Sequence, residues 1–235
     1  MEGYPEKPVV RVSSNTFNKF DEVSKSLAWD KNNNYLGSNE TFIKNNWLIK
    51  ADKKVEWEML GTINGEQIIG IADKAMYNCD KLTSLKLPYV QYIGGYAFQA
   101  SEKLETLYVS KDLSYIGPGA FLYCPTSTIN FGTEEDSIYE NDIYKYDIDN
   151  KFLINKKTKT LTHGLSGPEF SKIKETGVQK IGAEAFRNRG GDETPETLEL
   201  PEGLIEVGES AFRSTKFNKI LLSSTIKKLD NYAFA

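Results

Sequence analysis

The chain has 235 residues, of which 39 % are hydrophobic and 26 % are charged, a composition typical of a folded globular protein. Its net charge of −4 leaves no basic excess to neutralise phosphates, which argues against a nucleic-acid partner. No apolar stretch approaches the roughly 20 residues of a membrane-spanning helix. The first residues, Met1 to Pro5, lack the charged and apolar regions of a signal peptide, so the protein is either cytosolic or has lost a leader.

The first predicted element is a β-hairpin between Asn46 and Met59. Two apolar segments with alternating character flank a polar turn around residues 51–54, as expected for two antiparallel strands. Two interpretations of this region stay open. The hairpin either opens a block of about 42–131, or residues 1–65 form an unrelated N-terminal cap.

Next comes the pattern Ile-Gly-x-x-Ala-Phe, which occurs in six copies, two of them degenerate. The copies begin at Ile71, Ile93, Ile116, Ile181, Val207 and Leu229. Successive Ala residues are 22, 23, 65, 26 and 22 positions apart, so the array is regular with one interruption. We expect the Gly to permit a tight corner and the Phe rings to stack from copy to copy. A unit this short cannot bury its own apolar face, and the pattern therefore predicts a solenoid.

Each copy except the last is followed by a short alternating strand. Leu82-x-x-Leu85-x-Leu87-Pro88 is the clearest example. The alternation places Leu85 and Leu87 on one side and Ser84 and Lys86 on the other. The combined unit is thus a turn followed by a strand that buries alternate residues.

This combination resembles the BspA-like leucine-rich repeats, a bacterial family also found in some parasitic protozoa. Cys79 and Cys124 stand four residues after the Ala, where that family often has Cys. The resemblance covers about residues 67–235. It implies a leucine-rich-repeat solenoid, right-handed, strand-rich α/β and horseshoe-like, with one strand per repeat. It further implies a secreted or surface-attached protein, an association with adhesion to host matrix proteins or with co-aggregation, and no catalytic motif.

The interruption contains a second predicted hairpin, with strands on either side of the polar turn at 156–159. We therefore divide the chain into an N-terminal cap with hairpin (1–65), repeats 1–3 (66–131), a connecting segment with a hairpin insertion (132–177) and repeats 4–6 (178–235). The last repeat is incomplete because the sequence stops after its Ala-Phe pair. We expect an open solenoid end there, and favour truncation or an unusual terminus over an end covered by dimerisation.

Few residues could support chemistry. His163 is the only histidine, and the sequence predicts a surface or hairpin position rather than a catalytic or metal-binding one. Cys79 and Cys124 are two repeats apart, about 10 Å at the spacing of β-strands, which is too far for a disulfide. We expect both to be free, buried, small apolar fillers, although a secreted protein would favour a bridge. No cofactor or metal is expected.

The candidate site is the outward side of the five predicted strands. Tyr108 is the best single anchor, because Tyr is enriched among the residues that dominate binding energy. The candidates are Ser84, Lys86, Thr106, Tyr108, Thr128, Asn130, Thr197, Glu199, Lys219 and Leu221. A merely solvated strand face is the alternative, since Thr is common in strands for its β propensity. The 190s loop or the N-terminal cap could bind instead.

These observations predict a non-enzymatic, extracellular or cell-surface module that binds a protein ligand. A host matrix or plasma glycoprotein, or a bacterial surface protein, is the expected class of partner. A structural stalk without a ligand of its own is the alternative. A carbohydrate hydrolase with paired carboxylates is disfavoured, because a flat strand face does not make a concave substrate site.

Overall fold

The computed structural model describes residues 42–44, 46–63, 66–133, 135–190 and 194–235. Residues 1–41 of the predicted cap, and residues 191–193 of the loop considered for binding, lie outside them. Short strands and tight turns form a solenoid of about eight turns, which confirms the predicted fold class. Helical structure in the described ranges consists of one 3-10 helix, η1 (Phe170–Glu175).

Strands alternate with turns along the described chain. They are β1 (Phe42–Lys44), β2 (Trp47–Lys50), β3 (Thr62–Ile63), β4 (Glu66–Gln67), β5 (Gly70–Ile71), β6 (Ser84–Leu87), β7 (Tyr92–Ile93), β8 (Thr106–Val109), β9 (Tyr115–Ile116), β10 (Thr128–Asn130), β11 (Tyr144–Asp147), β12 (Phe152–Asn155), β13 (Thr160–Gly164), β14 (Lys180–Ile181), β15 (Thr197–Glu199), β16 (Glu206–Val207), β17 (Lys219–Leu221) and β18 (Lys228–Leu229).

Each complete repeat contributes two strands, so the expectation of one strand per repeat is wrong. The predicted alternating strands pair in parallel as β6, β8 and β10. The start of each Ile-Gly pattern forms a second, two-residue strand, and β5, β7 and β9 pair in parallel as well. The Gly94 amide, for example, donates to the Ile71 carbonyl oxygen at 2.8 Å. Two residues are too short for the period-2 alternation that reveals a strand in a sequence.

The pattern glycines are required by the close approach of successive turns. A Cβ atom on Gly117 would lie 2.4 Å from the Gly95 backbone nitrogen, and one on Gly94 would lie 2.5 Å from that of Asp73. The corner itself has its left-handed residue two positions later, as at Tyr96 (φ 55°) and Glu184 (φ 62°). The predicted role of the glycine in a corner is therefore corrected to one in the spacing between turns.

The pattern Phe rings stack as predicted. Phe98 and Phe121 have centroids 5.8 Å apart with planes 5° from parallel, and Phe186 and Phe212 are 5.0 Å apart at 6°. Phe234 continues the second series. Between the two series the ring next to Phe121 is that of His163, 5.4 Å away and nearly perpendicular. The first series of rings thus ends on an imidazole supplied by the second hairpin.

The two hairpins differ in how well the sequence predicts them. The second is confirmed, since β12 and β13 pair antiparallel around the polar turn, and β11 adds a third strand that the sequence did not reveal. The first is wrong in its pairing, because β2 pairs with the preceding β1. The segment predicted as its second strand instead places Met59 beside Lys86 of β6.

The second hairpin separates two hydrophobic cores. The strands up to β11 line the first core, in which Tyr144 and Tyr146 of β11 are buried, and those from β13 onward line the second. Strand β12 faces both, because Leu153 packs into the first core and its neighbour Phe152 into the second. We call residues 46–131 the first stack and residues 144–235 the second stack.

No β-ladder joins the first stack to the second among the described residues. Individual hydrogen bonds connect them instead, and we call this contact zone the joint. Arg189 donates to the Phe121 carbonyl oxygen at 2.7 Å and to that of Cys124 at 2.8 Å. The Ile116 amide donates to the Tyr144 hydroxyl at 3.0 Å. The solenoid therefore continues across the joint through these side chains and through the backbone hydrogen bond from the Ser166 amide to the Thr126 carbonyl oxygen at 2.8 Å.

Arg189 occupies the position four residues after the pattern Ala, where Cys124 and Ser101 stand in other repeats. Each of the three donates to the carbonyl of the Phe-position residue one turn earlier: Ser101 Oγ to Met76 at 2.8 Å, Cys124 Sγ to Phe98 at 2.6 Å, and Arg189 to Phe121. At these three places the position supplies a hydrogen-bond donor between turns, whereas Thr215, at the same position, donates to the Phe212 carbonyl oxygen of its own turn.

Cys79 and Cys124 are free and buried, as predicted. The prediction that they are only apolar fillers is wrong for Cys124, whose thiol makes the hydrogen bond just described. Burial raises the pKa of each thiol to about 12, so both remain protonated at neutral pH and are poor nucleophiles.

Candidate protein-binding face

Six of the ten candidate residues share one small, in-register sheet face. Strands β6, β8 and β10 align Ser84 with Thr106 and Thr128 in one row. They align Lys86 with Tyr108 and Asn130 in a second row. We call this surface, formed by the six residues, the first face.

Buried and outward residues alternate along these strands, and the outward residues form the first face. Leu85, Leu107 and Ile129 are fully buried beneath it, whereas Ser84, Thr106 and the other outward residues of β6 and β8 are half-buried. A one-residue slip in pairing would exchange the two sets and bury Lys86 in the core, so the register of the face is strongly specified.

Met59 extends the second row, and the sequence analysis did not include it. Its backbone pairs with Lys86 in parallel, and its side chain is 58 % exposed. Leu60 then lies beside Leu87, buried in the core. The sequence gives only weak evidence for a strand here, because residues 57–60 match the Leu-x-Leu pattern only at the final Leu60. The row thus reads Met59, Lys86, Tyr108, Asn130.

Asn130 departs from the expected outward exposure. It is 6 % exposed, because the segment after β10 folds over that edge. Its Nδ2 donates to the Thr133 carbonyl at 3.1 Å and to that of Asp136, and the Phe131 amide donates to Ile138 at 2.7 Å. Its Oδ1 is buried without a hydrogen-bond partner among the described residues. Asn130 therefore anchors the rim of the first face.

The other four candidates form a separate second face on β15 and β17. Thr197 lies beside Lys219, and Glu199 beside Leu221. Glu199 forms an ion pair with Lys174 of η1 at 2.7 Å, while Leu221 is 41 % exposed. The hydrogen bonds of Lys174 with Glu199 raise the pKa of the lysine. The candidates thus divide into two faces of different character.

Helix η1 causes that division. It follows β13 and packs against β15, with Phe170 and Ile173 buried in the second core. Phe170 contacts Phe186 at 5.3 Å, which fixes the helix over the stack of rings. A 3-10 helix offers no edge for β-pairing, so the parallel ladder of long strands is interrupted there.

The described surface includes a small cavity whose lining contains no residue of the two faces. A cavity of about 180 Å³ lies between residues 111–114 and 141–143, below the roughly 300–1,000 Å³ of ligand pockets. Asn141 lines this cavity and donates hydrogen bonds to the Lys111 and Leu113 carbonyl oxygens at 3.0 and 2.8 Å.

Within the described ranges, no group of three or more His, Cys, Asp or Glu residues is placed to hold a metal. Nor does any helix there have the length and apolar character of a membrane span.

The repeats also match a known family. Residues 69–188 and 167–235 match the sequence model described as the BspA type leucine rich repeat region, in 6 copies. The chain belongs to the BspA-type leucine-rich-repeat family. This membership confirms the resemblance drawn from the Ile-Gly-x-x-Ala-Phe pattern. No curated protein matches the chain in sequence.

Two solved structures resemble this BspA-type chain in part. One is the pneumococcal vaccine antigen PcpA, at 21 % identity and a TM-score of 0.48, over 70 % of this chain and 45 % of that one. The other is a leucine rich cell surface protein from Faecalibacterium prausnitzii A2-165, at 13 % identity and a TM-score of 0.34, over 81 % of this chain and 78 % of that one. The chain therefore spans less than half the length of the pneumococcal antigen.

Proposed function

We propose that this chain is a non-enzymatic protein-binding module that recognises its ligand through the first face. The observation that carries the proposal is the in-register row of Met59, Lys86 and Tyr108 at the surface of a rigid three-stranded sheet. It combines an apolar, a cationic and an aromatic side chain within about 10 Å, at roughly 4.8 Å per strand.

The composition of the first face supports a protein ligand. Tyr buries a large rigid surface for little loss of side-chain entropy and is enriched where binding energy concentrates. The Ser84, Thr106 and Thr128 row offers hydroxyl groups that both donate and accept hydrogen bonds. Leucine-rich-repeat solenoids commonly bind extended partners along such repeated surfaces.

The second face is the weaker candidate. The ion pair between Glu199 and Lys174 already uses its acidic group, and a ligand would have to break that pair. Its most exposed apolar residues, Leu221 and Leu222, lie at the edge of a two-stranded sheet. It therefore serves as the matched control surface for the first face.

The proposed setting is the cell surface or the extracellular space, where BspA-type repeats are expected to act. The proposed ligand is a host matrix or plasma glycoprotein, or a surface protein of another bacterium, and adhesion is the proposed consequence. The net charge of −4 supports a protein over a nucleic acid as the partner.

A structural stalk is the second candidate function, and the joint favours it. Arg189 and Tyr144 each hydrogen-bond the second stack to the first. A solenoid joined in this way would hold another domain away from a surface. A stalk needs no ligand, so binding by the isolated chain distinguishes the two functions.

The test is binding of the purified chain to a panel of immobilised host matrix and plasma glycoproteins and bacterial surface proteins. The double variant Tyr108→Ala/Lys86→Glu removes the aromatic anchor and reverses the charge of the first face. Loss of the anchor should weaken binding by at least about 30-fold, since a truncated hot-spot residue costs about 2 kcal/mol or more.

The control is Leu221→Ala/Lys219→Glu, which makes the same kinds of change on the second face. It should bind like the wild type. Equal loss in both variants, or loss in the control alone, would reject the first face as the site. Absence of saturable binding across the panel would favour the stalk.

A further inference from the structure

The joint contains the single histidine of the chain, and it is buried. His163 on β13 is 4 % exposed, so the predicted surface position is wrong, although the hairpin position is confirmed. Its ring packs on Phe121, and Nε2 lies 3.2 Å from the Gly117 carbonyl oxygen. Nδ1 has no hydrogen-bond partner in the described structure. With Nε2 donating to the carbonyl, the neutral ring satisfies this arrangement and the protonated ring does not.

The groups around His163 disfavour a positive charge. Burial lowers the pKa of His163 most, the hydrogen bond with the Gly117 carbonyl opposes this in part, and the charge of Arg189 from the second stack lowers the pKa further. The neighbouring Cys124 of the first stack is neutral, because burial raises its pKa to about 12. On β12 the residue opposite His163 is the apolar Leu153. The ring therefore has no anionic partner among these neighbours.

We propose that the joint is an acid-sensitive hinge: protonation of His163 loosens the contacts between the two stacks while the parallel ladders within each stack stay paired. A protonated ring would present an N–H at Nδ1 without an acceptor and a second cation beside Arg189. Opening the joint exposes the ring to water and removes both penalties. The residue pairs of the parallel ladders in each stack include no histidine, and these ladders keep their hydrogen bonds.

The direction of the pH dependence follows from two pKa values. Burial lowers the pKa of His163 to about 4 in the closed joint, against an ordinary value of about 6.5 in the open one. The open state alone binds the proton between these values, so closure is fully favourable above pH 6.5 and weakens as the pH falls toward 4. From pH 7.5 to pH 5.0 the equilibrium constant for opening should rise about 30-fold.

Amide hydrogen exchange followed by NMR at pH 7.5 and 5.0 tests the proposal. The Ser166 amide, which donates to Thr126 across the joint, and the Ile116 amide, which donates to Tyr144, report on the joint. The Gly94 and Gly208 amides report on the interior of each stack. Each rate is divided by the intrinsic rate of an unstructured amide at the same pH.

The expected result is an approximately 30-fold loss of protection at the joint amides and little change at Gly94 and Gly208. The variants His163→Phe, which continues the ring stack, and His163→Gln, which keeps a donor for Gly117, should remove the pH dependence. Unchanged protection at the joint, or equal loss at interior amides, would overturn the hinge. So would a variant that folds and still loses protection like the wild type.

A direct titration keeps the proposal testable if neither variant folds. The chain has a single histidine, so its ring signals in the NMR spectrum need no assignment. The hinge requires an apparent ring pKa below about 5.5 in the folded wild type. A ring that titrates near 6.5 would overturn the proposal, because protonation would then carry no penalty in the closed joint.

Discussion

The interior of each stack and the joint between the stacks are held together in different ways. Inside a stack, every turn repeats the same backbone pairing, as the amides of Gly94, Gly117 and Gly208 show by donating to the Ile of the preceding turn at 2.8–2.9 Å. At the joint, side chains of unrelated type take over, among them Arg189, His163 and Tyr144. The outward residues of a stack are therefore free to vary, whereas the joint depends on particular ones.

The difference explains how one repeat can carry both a scaffold and a function. The ladder needs only the inward Leu, Ile and Phe residues, the glycine, and a donor four positions after the Ala. The first face and the second face share that frame but differ in most outward residues, although Thr197 is of the same type as Thr106 and Thr128. We therefore expect changes within the frame to affect stability and changes on the first face to affect binding.

The largest effect is expected from removing a ring inside a stack. Phe186 is fully buried and contacts Phe152, Phe170 and Phe212 at 5.9, 5.3 and 5.0 Å. Phe186→Ala should lower the free energy of unfolding by about 3–5 kcal/mol, measured by urea denaturation. Phe234→Ala, where the ring is only partly buried, should cost about 1–2 kcal/mol. Equal costs would contradict the account of the stack.

A smaller but still large effect is expected at a pattern glycine. Gly117→Ala would place a Cβ 2.4 Å from the Gly95 nitrogen, and backbone cannot move aside as a flexible side chain can. The cost should be about 3 kcal/mol, at the upper end of overpacking effects. Gly61→Ala, whose Cβ would meet its nearest atom at 3.5 Å, should change stability by less than about 0.5 kcal/mol. A Gly117→Ala variant as stable as the wild type would show that the turns are less closely spaced than in this structure.

At the joint, Arg189→Met should cost about 2 kcal/mol, because the buried carbonyls of Phe121 and Cys124 each lose a donor. The control is Arg213→Met, which removes a guanidinium lying 5.3 Å from the Tyr232 ring; Tyr232 is exposed, and the cost should stay below about 1 kcal/mol. Thermal unfolding of both variants measures the difference. An Arg189 variant as stable as the wild type would remove this residue from the joint.

The smallest effect is expected at the outer side of the joint. The Tyr96 ring lies over Gly119 and its hydroxyl hydrogen-bonds to Glu184 of the second stack; burial and then Glu184 raise the pKa of Tyr96 to about 12. Tyr96→Phe should cost about 1 kcal/mol in urea denaturation. Tyr123→Phe removes a hydroxyl from a residue that is 52 % exposed and should cost less than about 0.5 kcal/mol. A larger loss of stability in Tyr123→Phe than in Tyr96→Phe would contradict the role of Tyr96 at the joint.

The repeated part of the fold could be predicted from the sequence because each residue there has the same role in every turn. Six copies of Ile-Gly-x-x-Ala-Phe defined the solenoid, the ring stack and the buried, free Cys124 before any contact was known. The two-residue strands were not predicted, because two residues are too few to show the alternation of a strand. The pairing of β1 with β2 was not predicted, because the segments on both sides of Ala51 are apolar enough to form a strand.

The joint and the division of the candidate site could not be predicted, since they depend on contacts between different repeats. Nothing local distinguishes Arg189 as a donor to Phe121, a residue 68 positions away. Nor does the sequence of η1 show that it packs against β15. The burial of His163 likewise follows from its packing on Phe121 across the joint, and a lone histidine in a predicted hairpin carries no sign of it.

The most direct test of the central claim, that one solenoid continues through the joint, is differential scanning calorimetry at pH 7.5. The account predicts a single transition whose calorimetric and van't Hoff enthalpies agree, because the hairpin contributes Leu153 to one core and Phe152 to the other. Two separate transitions in the wild type would contradict it, and would mean that the two stacks are independent domains in contact.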